Sequence, residues 1–133
     1  MRSTFREQIV AGLDVCEKIP FKKPEYEKVR SIVKNPVITE MLNRNILVTL
    51  YGNNADYTHY IWDVIVAAII IDHTLITEEI TLPIDVSTDY GHSYGQSLAY
   101  KTQAPLDAQQ ARIILNVDKE RLWKLIYDYC GKF

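Results

Sequence analysis

A chain of 133 residues with 47% hydrophobic and 24% charged residues has the composition of a folded domain, which excludes a wholly disordered polypeptide. Its longest apolar run, residues 64–71, is too short to cross a bilayer, which needs about 20 residues. The net charge is −2, and residues 45–106 contain seven acidic residues against one basic residue, which disfavours binding of a nucleic acid backbone by this part.

We expect that the first 18 residues are not a signal peptide, because charges at Arg6, Glu7 and Asp14 interrupt the apolar positions. We therefore expect one cytoplasmic domain spanning residues 1–133, with no membrane association. The two cysteines, Cys16 and Cys130, are predicted to be small core residues, since a reducing compartment disfavours the alternative of a disulfide between them.

The N-terminal third is predicted to be helical. Thr4 and Glu7 have the spacing of a capping box, and an apolar stripe at helical spacing extends the first helix to about Lys18. The stripe consists of Phe5, Ile9, Val10, Leu13 and Cys16. A second helix begins at Pro24, and a third covers residues 36–44 after an Asn35 cap.

Two apolar segments follow. Residues 46–52 form a compact run ended by Gly-Asn-Asn, which predicts a buried strand. Residues 57–72 have apolar residues at helical spacing, with Asp56 or Thr58 as a candidate cap, and their second half is apolar on every side. We expect one central helix here, although the β-branched residues leave open a helix followed by a strand.

Alternation then predicts strands. Residues 80–87 place apolar side chains at every second position, and Pro83 indicates an edge strand or a bulge. Residues 97–103 alternate again, so residues 88–96 are predicted to be the tip of a long hairpin. A further strand at residues 111–117 and a helix capped by Asp118 complete the chain. The pattern predicts an α+β fold, with a small, mostly antiparallel sheet covered by helices.

The hairpin tip supplies the first functional hypothesis. Tyr90, His92 and Tyr94 lie among glycines and serines, and this mixture is typical of recognition loops, because tyrosine offers a large flat surface and one hydroxyl. The interpretation that this favours is a non-enzymatic binding or assembly protein that uses this tip and the edge strand at residues 80–87 to contact a protein partner or a second copy of itself. The simpler alternative is a mobile turn whose tyrosines fold back on the sheet.

A second hypothesis is a small-ligand or nucleotide-binding protein. Its pocket would combine the hairpin tip with the segment after residue 50, where Tyr51 supplies an aromatic wall and Asn53 and Asn54 supply hydrogen bonds. No phosphate loop or dinucleotide-binding motif occurs in the sequence, so no cofactor is predicted.

The third hypothesis is a metal-dependent hydrolase that uses His59, Asp63 and His92. His59 and Asp63 are four residues apart and would share one face of the central helix. The simpler interpretation of this pair is a hydrogen bond within the helix.

Overall fold

The computed structural model describes residues 7–133 and has the mixed helix and sheet content of an α+β fold, as predicted. A four-stranded sheet has the order β1-β6-β4-β5, in which β1 runs parallel to β6 and the other neighbours are antiparallel. A second, two-stranded sheet pairs β2 with β3. The elements are β1 Ile9–Ala11, α1 Leu13–Cys16, β2 Pro20–Phe21, α2 Lys23–Ile32, α3 Pro36–Asn43, α4 Ile46–Asn53, β3 His59–Tyr60, α5 Trp62–Ile71, β4 Ile76–Val86, β5 Ser97–Ala99, β6 Gln109–Val117 and α6 Lys119–Cys130, with a 3-10 turn at His73–Leu75.

The helices with clear caps are confirmed. Asn35 accepts hydrogen bonds from the backbone N–H groups of Val37 and Ile38 at the start of α3. Asp118 accepts from the backbone N–H of Arg121 at the start of α6, 3.1 Å away. In α2 the Glu25 carboxylate accepts from the backbone N–H that precedes the helix. Each cap satisfies an amide that the first helical turn leaves unpaired.

The hairpin is also confirmed. β4 and β5 pair in antiparallel register over three residue pairs, and the loop between them is closed by two backbone hydrogen bonds of Ser87, to Gln96 and Gly95. Gly95 has a positive φ of 82°, which glycine adopts without the strain that a Cβ would cause. β5 is shorter than expected and ends at Ala99.

The prediction that Pro83 marks an edge strand is wrong, because β4 lies between β6 and β5. The carbonyl of Pro83 accepts from Tyr100 N–H, so its nitrogen points to the side on which β5 has already ended at Ala99. The missing donor therefore costs no ladder hydrogen bond.

The predicted N-terminal helix over residues 4–18 is wrong within the described part. Residues Ile9–Ala11 form β1 beside β6, and only Leu13–Cys16 are helical. Thr4 and the first half of the predicted helix lie outside the described residues. Pairing of Ile9 with Arg112, about 100 residues further along the chain, outweighs the local helical pattern.

The predicted strand at residues 46–52 is a helix, α4. Asn45 caps it by accepting from the backbone N–H of Leu47, 2.9 Å away. The helix places Leu47 and Tyr51, four residues apart, on one buried face. A short apolar run fits a buried helix as well as a buried strand, which explains the error.

The central segment forms one helix, as favoured, and the alternative of a helix followed by a strand is wrong. The helix is shorter than predicted, because His59 and Tyr60 pair with β2 and α5 begins at Trp62. Neither Asp56 nor Thr58 caps it.

Two clusters of buried side chains hold the elements together. The aliphatic cluster joins α1, α5, β6 and α6, and its members are Val15, Cys16, Ile19, Ile65, Ala68, Ile69, Leu75, Ile114, Val117 and Leu122. The aromatic cluster joins α2 to α4 and consists of Tyr26, Leu47 and Tyr51, with Phe21, Leu42, Leu50 and Tyr57 packed around them. Both cysteines are free thiols, with Cys16 buried in the first cluster and Cys130 half-buried. None of the described helices has the length and hydrophobicity to span a membrane.

Candidate functional site at the carboxyl end of strand β1

Two exposed carboxylates lie on α1 and α5, two helices that contact each other. Asp14 lies on α1 and Asp63 in the first turn of α5, and both are exposed. Burial raises the pKa of the Cys16 thiol, and the nearby charges of Asp14 and Asp63 raise it further. Because α1 and α5 contact each other, the two carboxylates belong to neighbouring elements near the end of β1.

Gly12 leaves room for one of these carboxylates. A Cβ at position 12 would lie 2.6 Å from Oδ1 of Asp14, which is closer than real Cβ contacts allow. The Asp14 side chain thus folds back over the glycine immediately after β1. Any other residue at position 12 would displace the carboxylate.

A stacked aromatic pair directly precedes Asp63 in the chain. The rings of Tyr60 and Trp62 stack with centroids 6.3 Å apart and an angle of 14° between their planes. Trp62 is 48% exposed although it is the first residue of α5. A half-exposed indole ring next to a carboxylate offers a flat apolar surface and a charged acceptor to one ligand.

The two carboxylates are free to bind a ligand. No hydrogen bond or ion pair joins Asp14 or Asp63 to another residue in the range 7–133. Asp63 also lies in the first turn of α5. We name Gly12, Asp14, Trp62 and Asp63 the carboxylate site. Its groups can accept hydrogen bonds from hydroxyls, stabilise positive charge and stack on a planar ring.

The predicted loop residues lie elsewhere, on the hairpin between β4 and β5. Tyr90 is 99% exposed, and its ring lies 5.4 Å from that of Tyr94, which is also exposed. His92 lies on the same exposed loop. The rings therefore point into solvent rather than onto the sheet, as the binding hypothesis required, and their role in binding stays a prediction.

The other three predicted binding residues belong to α4 and its end. Tyr51 is buried, and its hydroxyl donates a hydrogen bond to the carbonyl of Phe21 over 2.6 Å. Asn53 is the exposed last residue of α4, and the Asn54 side chain accepts from the backbone N–H of Asp56. The engaged hydroxyl and ring of Tyr51 serve the aromatic cluster, and binding by Asn53 and Asn54 stays a prediction.

The described residues do not assemble the suggested metal site. No group of three His, Cys, Asp or Glu side chains with the geometry to hold a metal ion occurs in residues 7–133. His59 lies on β3 and Asp63 on α5, so the predicted sharing of one helical face is wrong.

Sequence reasoning missed three of the four residues of the carboxylate site, because Gly12 and Asp14 fell inside the predicted N-terminal helix and Trp62 was not singled out. A signal was present in the Gly-Leu-Asp sequence that follows the apolar residues 9–11. In open sheets with parallel strands, ligands bind beyond the carboxyl ends of the strands.

Comparison with known proteins identifies relatives of this chain. A family model described as "Inosine-uridine preferring nucleoside hydrolase" matches residues 1–124. No curated protein matches the chain significantly.

Solved structures with the same fold are also named as nucleoside hydrolases. A plant nucleoside hydrolase is 18% identical, with a TM-score of 0.73 over 94% of this chain and 41% of its own. An inosine-guanosine nucleoside hydrolase is 14% identical, with a TM-score of 0.70 over 90% of this chain and 37% of its own. The inosine-uridine preferring nucleoside hydrolase from Bacillus anthracis is 18% identical, with a TM-score of 0.66 over 96% and 37%. The chain thus spans about two fifths of the length of these proteins.

These matches overturn one prediction. The proteins and the family model that resemble this chain are hydrolases, so the interpretation as a non-enzymatic binding or assembly protein is wrong. The small-ligand alternative agrees with a family that is named for its action on nucleosides.

Proposed function

Because the chain belongs to the inosine-uridine preferring nucleoside hydrolase family, we propose that it takes part in the hydrolysis of nucleosides and that the carboxylate site contacts the substrate. One structural observation supports this most directly: a half-exposed stacked indole and the unpaired Asp63 begin α5, which contacts the helix that carries the unpaired Asp14 after parallel strand β1. A nucleoside presents a planar base and a sugar with hydroxyl groups, and the site offers a partner to each.

The reaction places specific demands on such a site. Hydrolysis breaks the bond between the anomeric carbon of the sugar and a nitrogen of the base, a water oxygen bonds to that carbon, and the base leaves with a proton. As in the hydrolysis of glycosides, the sugar carries positive charge in the transition state. Asp14 and Asp63 would stabilise that charge or accept hydrogen bonds from the sugar hydroxyls, and Trp62 would stack on the base.

Sugar release from inosine and uridine tests this function. Asp63→Asn keeps the size of the side chain and removes its charge, so we expect kcat/KM to fall by about 100-fold or more. The matched control is Asp128→Asn, which neutralises an exposed carboxylate of α6 that pairs with Lys124, and it should stay within about twofold of the parent. Equal loss in both variants, or no loss in Asp63→Asn, would refute the assignment of the site.

Binding provides a second readout that does not depend on turnover. We expect inosine to bind in calorimetric titration and Trp62→Ala to weaken it about tenfold, since stacking of one base contributes about 1–3 kcal/mol. Trp123→Phe is the control, because that indole is stacked within the protein between Phe21 and Tyr127. Unchanged affinity in Trp62→Ala would remove Trp62 from the proposed site.

A further inference from the structure

The loop between β4 and β5 holds two tyrosine rings against each other in solvent. The ring centroids of Tyr90 and Tyr94 lie 5.4 Å apart, with an angle of 43° between the ring planes. Tyr90 is 99% exposed and Tyr94 is 63% exposed. Dissolved reagents therefore reach both rings while the rings stay in contact with each other.

The backbone of the loop produces this pairing. The N–H of Tyr94 donates to the carbonyl of Gly91 over 3.2 Å, which closes a turn of four residues between the two rings. At the base of the loop, the backbone of Ser87 is hydrogen bonded to Gly95 and to Gln96. The turn thus brings the two tyrosines together with hydrogen bonds that lie within the loop itself.

Two glycines give the rings room to approach each other further. A Cβ placed at Gly91 or at Gly95 would meet no atom within 4 Å, so open space surrounds the backbone at both positions. Glycine also has the widest choice of backbone conformations of any residue. Small rotations of the loop therefore bring the two rings closer without displacing a packed side chain.

Two other pairs of tyrosine rings in the described part of the chain are shielded from solvent. The centroids of Tyr26 and Tyr51 are 5.5 Å apart, but both rings are buried and their hydroxyls donate to main-chain carbonyls. Tyr57 lies 5.7 Å from Tyr51 and so shares this buried partner. Of these three pairs, only Tyr90 and Tyr94 are open to a dissolved oxidant on both rings.

We propose that Tyr90 and Tyr94 form an oxidative modification site, at which a one-electron oxidant such as a haem peroxidase with hydrogen peroxide couples the two rings into dityrosine. Each phenol loses one electron and one proton and becomes a phenoxyl radical. The two radicals form one carbon–carbon bond between the ring positions next to the oxygens, and the hydrogens of those carbons move to the oxygens and restore both hydroxyls. The two electrons and two protons that are lost reduce one hydrogen peroxide to two waters.

Proximity favours coupling within the loop over coupling between two chains. Groups held in contact on one chain react at effective concentrations far above those of proteins in solution. The new bond closes a covalent ring over residues 90–94 and locks the turn in the conformation that it already has. Exposed loop tips with small residues are preferred sites of proteolytic cleavage. The cross-link therefore holds the shape of the hairpin and protects it against cleavage.

Treatment of the full chain with a haem peroxidase and a limiting amount of hydrogen peroxide tests the proposal. We expect blue dityrosine fluorescence, no additional dimer in gel filtration, and a peptide containing residues 90–94 that has lost two hydrogen atoms in mass spectrometry. Tyr90→Phe and Tyr94→Phe should each lower the fluorescence about tenfold or more, because phenylalanine forms no phenoxyl radical and the remaining tyrosine loses its adjacent partner. The control is Tyr129→Phe, which alters a ring that is 39% exposed on α6 and contacts Lys132, and it should stay within about twofold of the parent.

Hydrogen exchange adds a readout at a single amide. In the oxidised chain the N–H of Tyr94 should exchange about tenfold more slowly, because the cross-link holds its turn closed, whereas the amides of α6 should not change. The proposal is overturned if the cross-link forms only between chains, if it persists in either Phe variant, or if the exposed Met41 or Trp62 is oxidised while both loop tyrosines stay intact. No nucleoside takes part, so these outcomes are separate from those of the sugar-release assay.

Discussion

The two buried clusters are built on different principles. The aliphatic cluster contains Ile, Val and Leu side chains such as Ile65 and Leu122, which are completely buried and have no polar atoms to satisfy. The aromatic cluster is organised by hydroxyl groups: Tyr26 donates to the carbonyl of Leu42 and Tyr51 to that of Phe21. The first depends on close packing alone, whereas the second depends on packing and on directed hydrogen bonds.

The two clusters therefore fix the positions of their side chains by different interactions. Aliphatic burial is non-directional, so it holds α5 against β6 and α6 without fixing individual partners. The tyrosines must find specific carbonyls, and their rings meet at defined angles, with Tyr26 and Tyr51 centroids 5.5 Å apart. We therefore expect the aliphatic cluster to respond mainly to changes in volume and the aromatic cluster to changes in hydrogen bonding and pH.

Removing volume from the aliphatic cluster should have the largest effect. Leu122→Ala leaves a cavity at a completely buried position and should lower the free energy of unfolding by about 2–5 kcal/mol. Urea denaturation measures this change. Leu106→Ala is the control, because Leu106 is fully exposed and its truncation should cost less than about 0.5 kcal/mol. A Leu122→Ala variant as stable as the parent would contradict the assignment of this core.

Removing one hydroxyl from the aromatic cluster should have a smaller effect. Tyr51→Phe keeps the ring and leaves the carbonyl of Phe21 without this donor, which should cost about 1–2 kcal/mol in the same denaturation experiment. Tyr94→Phe removes a hydroxyl from an exposed ring and should cost almost nothing. If both variants lose the same free energy of unfolding, the buried hydrogen bond of Tyr51 contributes no more to stability than the exposed hydroxyl of Tyr94.

Alkaline pH should lower the free energy of unfolding through the aromatic cluster, because this cluster contains a buried tyrosine hydroxyl. Burial, followed by the neighbouring Tyr57 and Glu25, raises the pKa of Tyr51 from 10 to about 12. The folded state therefore holds this proton more tightly than the unfolded state, so the stabilisation is complete below pH 10 and is lost as the pH rises towards 12. Tyr51→Phe should reduce this fall in the free energy of unfolding. An identical pH profile in the parent and the variant would exclude Tyr51 as its source.

Lowering the pH should have the smallest effect on stability. It acts on Asp72, which lies at the border of the aliphatic cluster. Hydrogen bonds from the hydroxyl and the N–H of Thr74, together with Arg121, hold the pKa of Asp72 below its ordinary value of 3.8. Its stabilising contribution is therefore present above that value and is lost as the pH falls below it. The difference in melting temperature between pH 6 and pH 3 should be slightly smaller in Asp72→Asn. Asp128→Asn, on exposed α6, serves as the control.

Elements with strong local signals were predictable from the sequence. The caps Asn35 and Asp118 are satisfied within three residues of their own positions, so α3 and α6 could be recognised without knowledge of the rest of the fold. β4 was recognisable from its alternating side chains, because one face of the strand meets a different environment from the other. These signals depend on near neighbours in the chain.

The elements that were missed depend on distant partners. β1 exists because Ile9–Ala11 pair with β6, and α4 is buried because Tyr51 meets Tyr26 on another helix. The carboxylate site combines the end of β1 with the start of α5, about 50 residues apart in sequence. An error in the first element therefore concealed the site as well.

Asp63 could be singled out from the sequence, but with the wrong neighbours. The spacing suggested His59 as its partner, whereas in the fold His59 lies on β3 and the helix that carries Asp63 contacts α1, which carries Asp14. The tyrosine-rich hairpin attracted attention because of its composition, and the structure confirms only that it is exposed.

The placement of the two tryptophans has a practical consequence for spectroscopy. Trp62 is 48% exposed at the carboxylate site, whereas Trp123 is stacked between Phe21 and Tyr127, with Lys28 against the far ring. Acrylamide should therefore quench the red-shifted emission of Trp62 before it reaches Trp123. With Trp123→Phe, the remaining fluorophore would report occupancy of the site, and with Trp62→Phe it would report the integrity of the contact between α2 and α6.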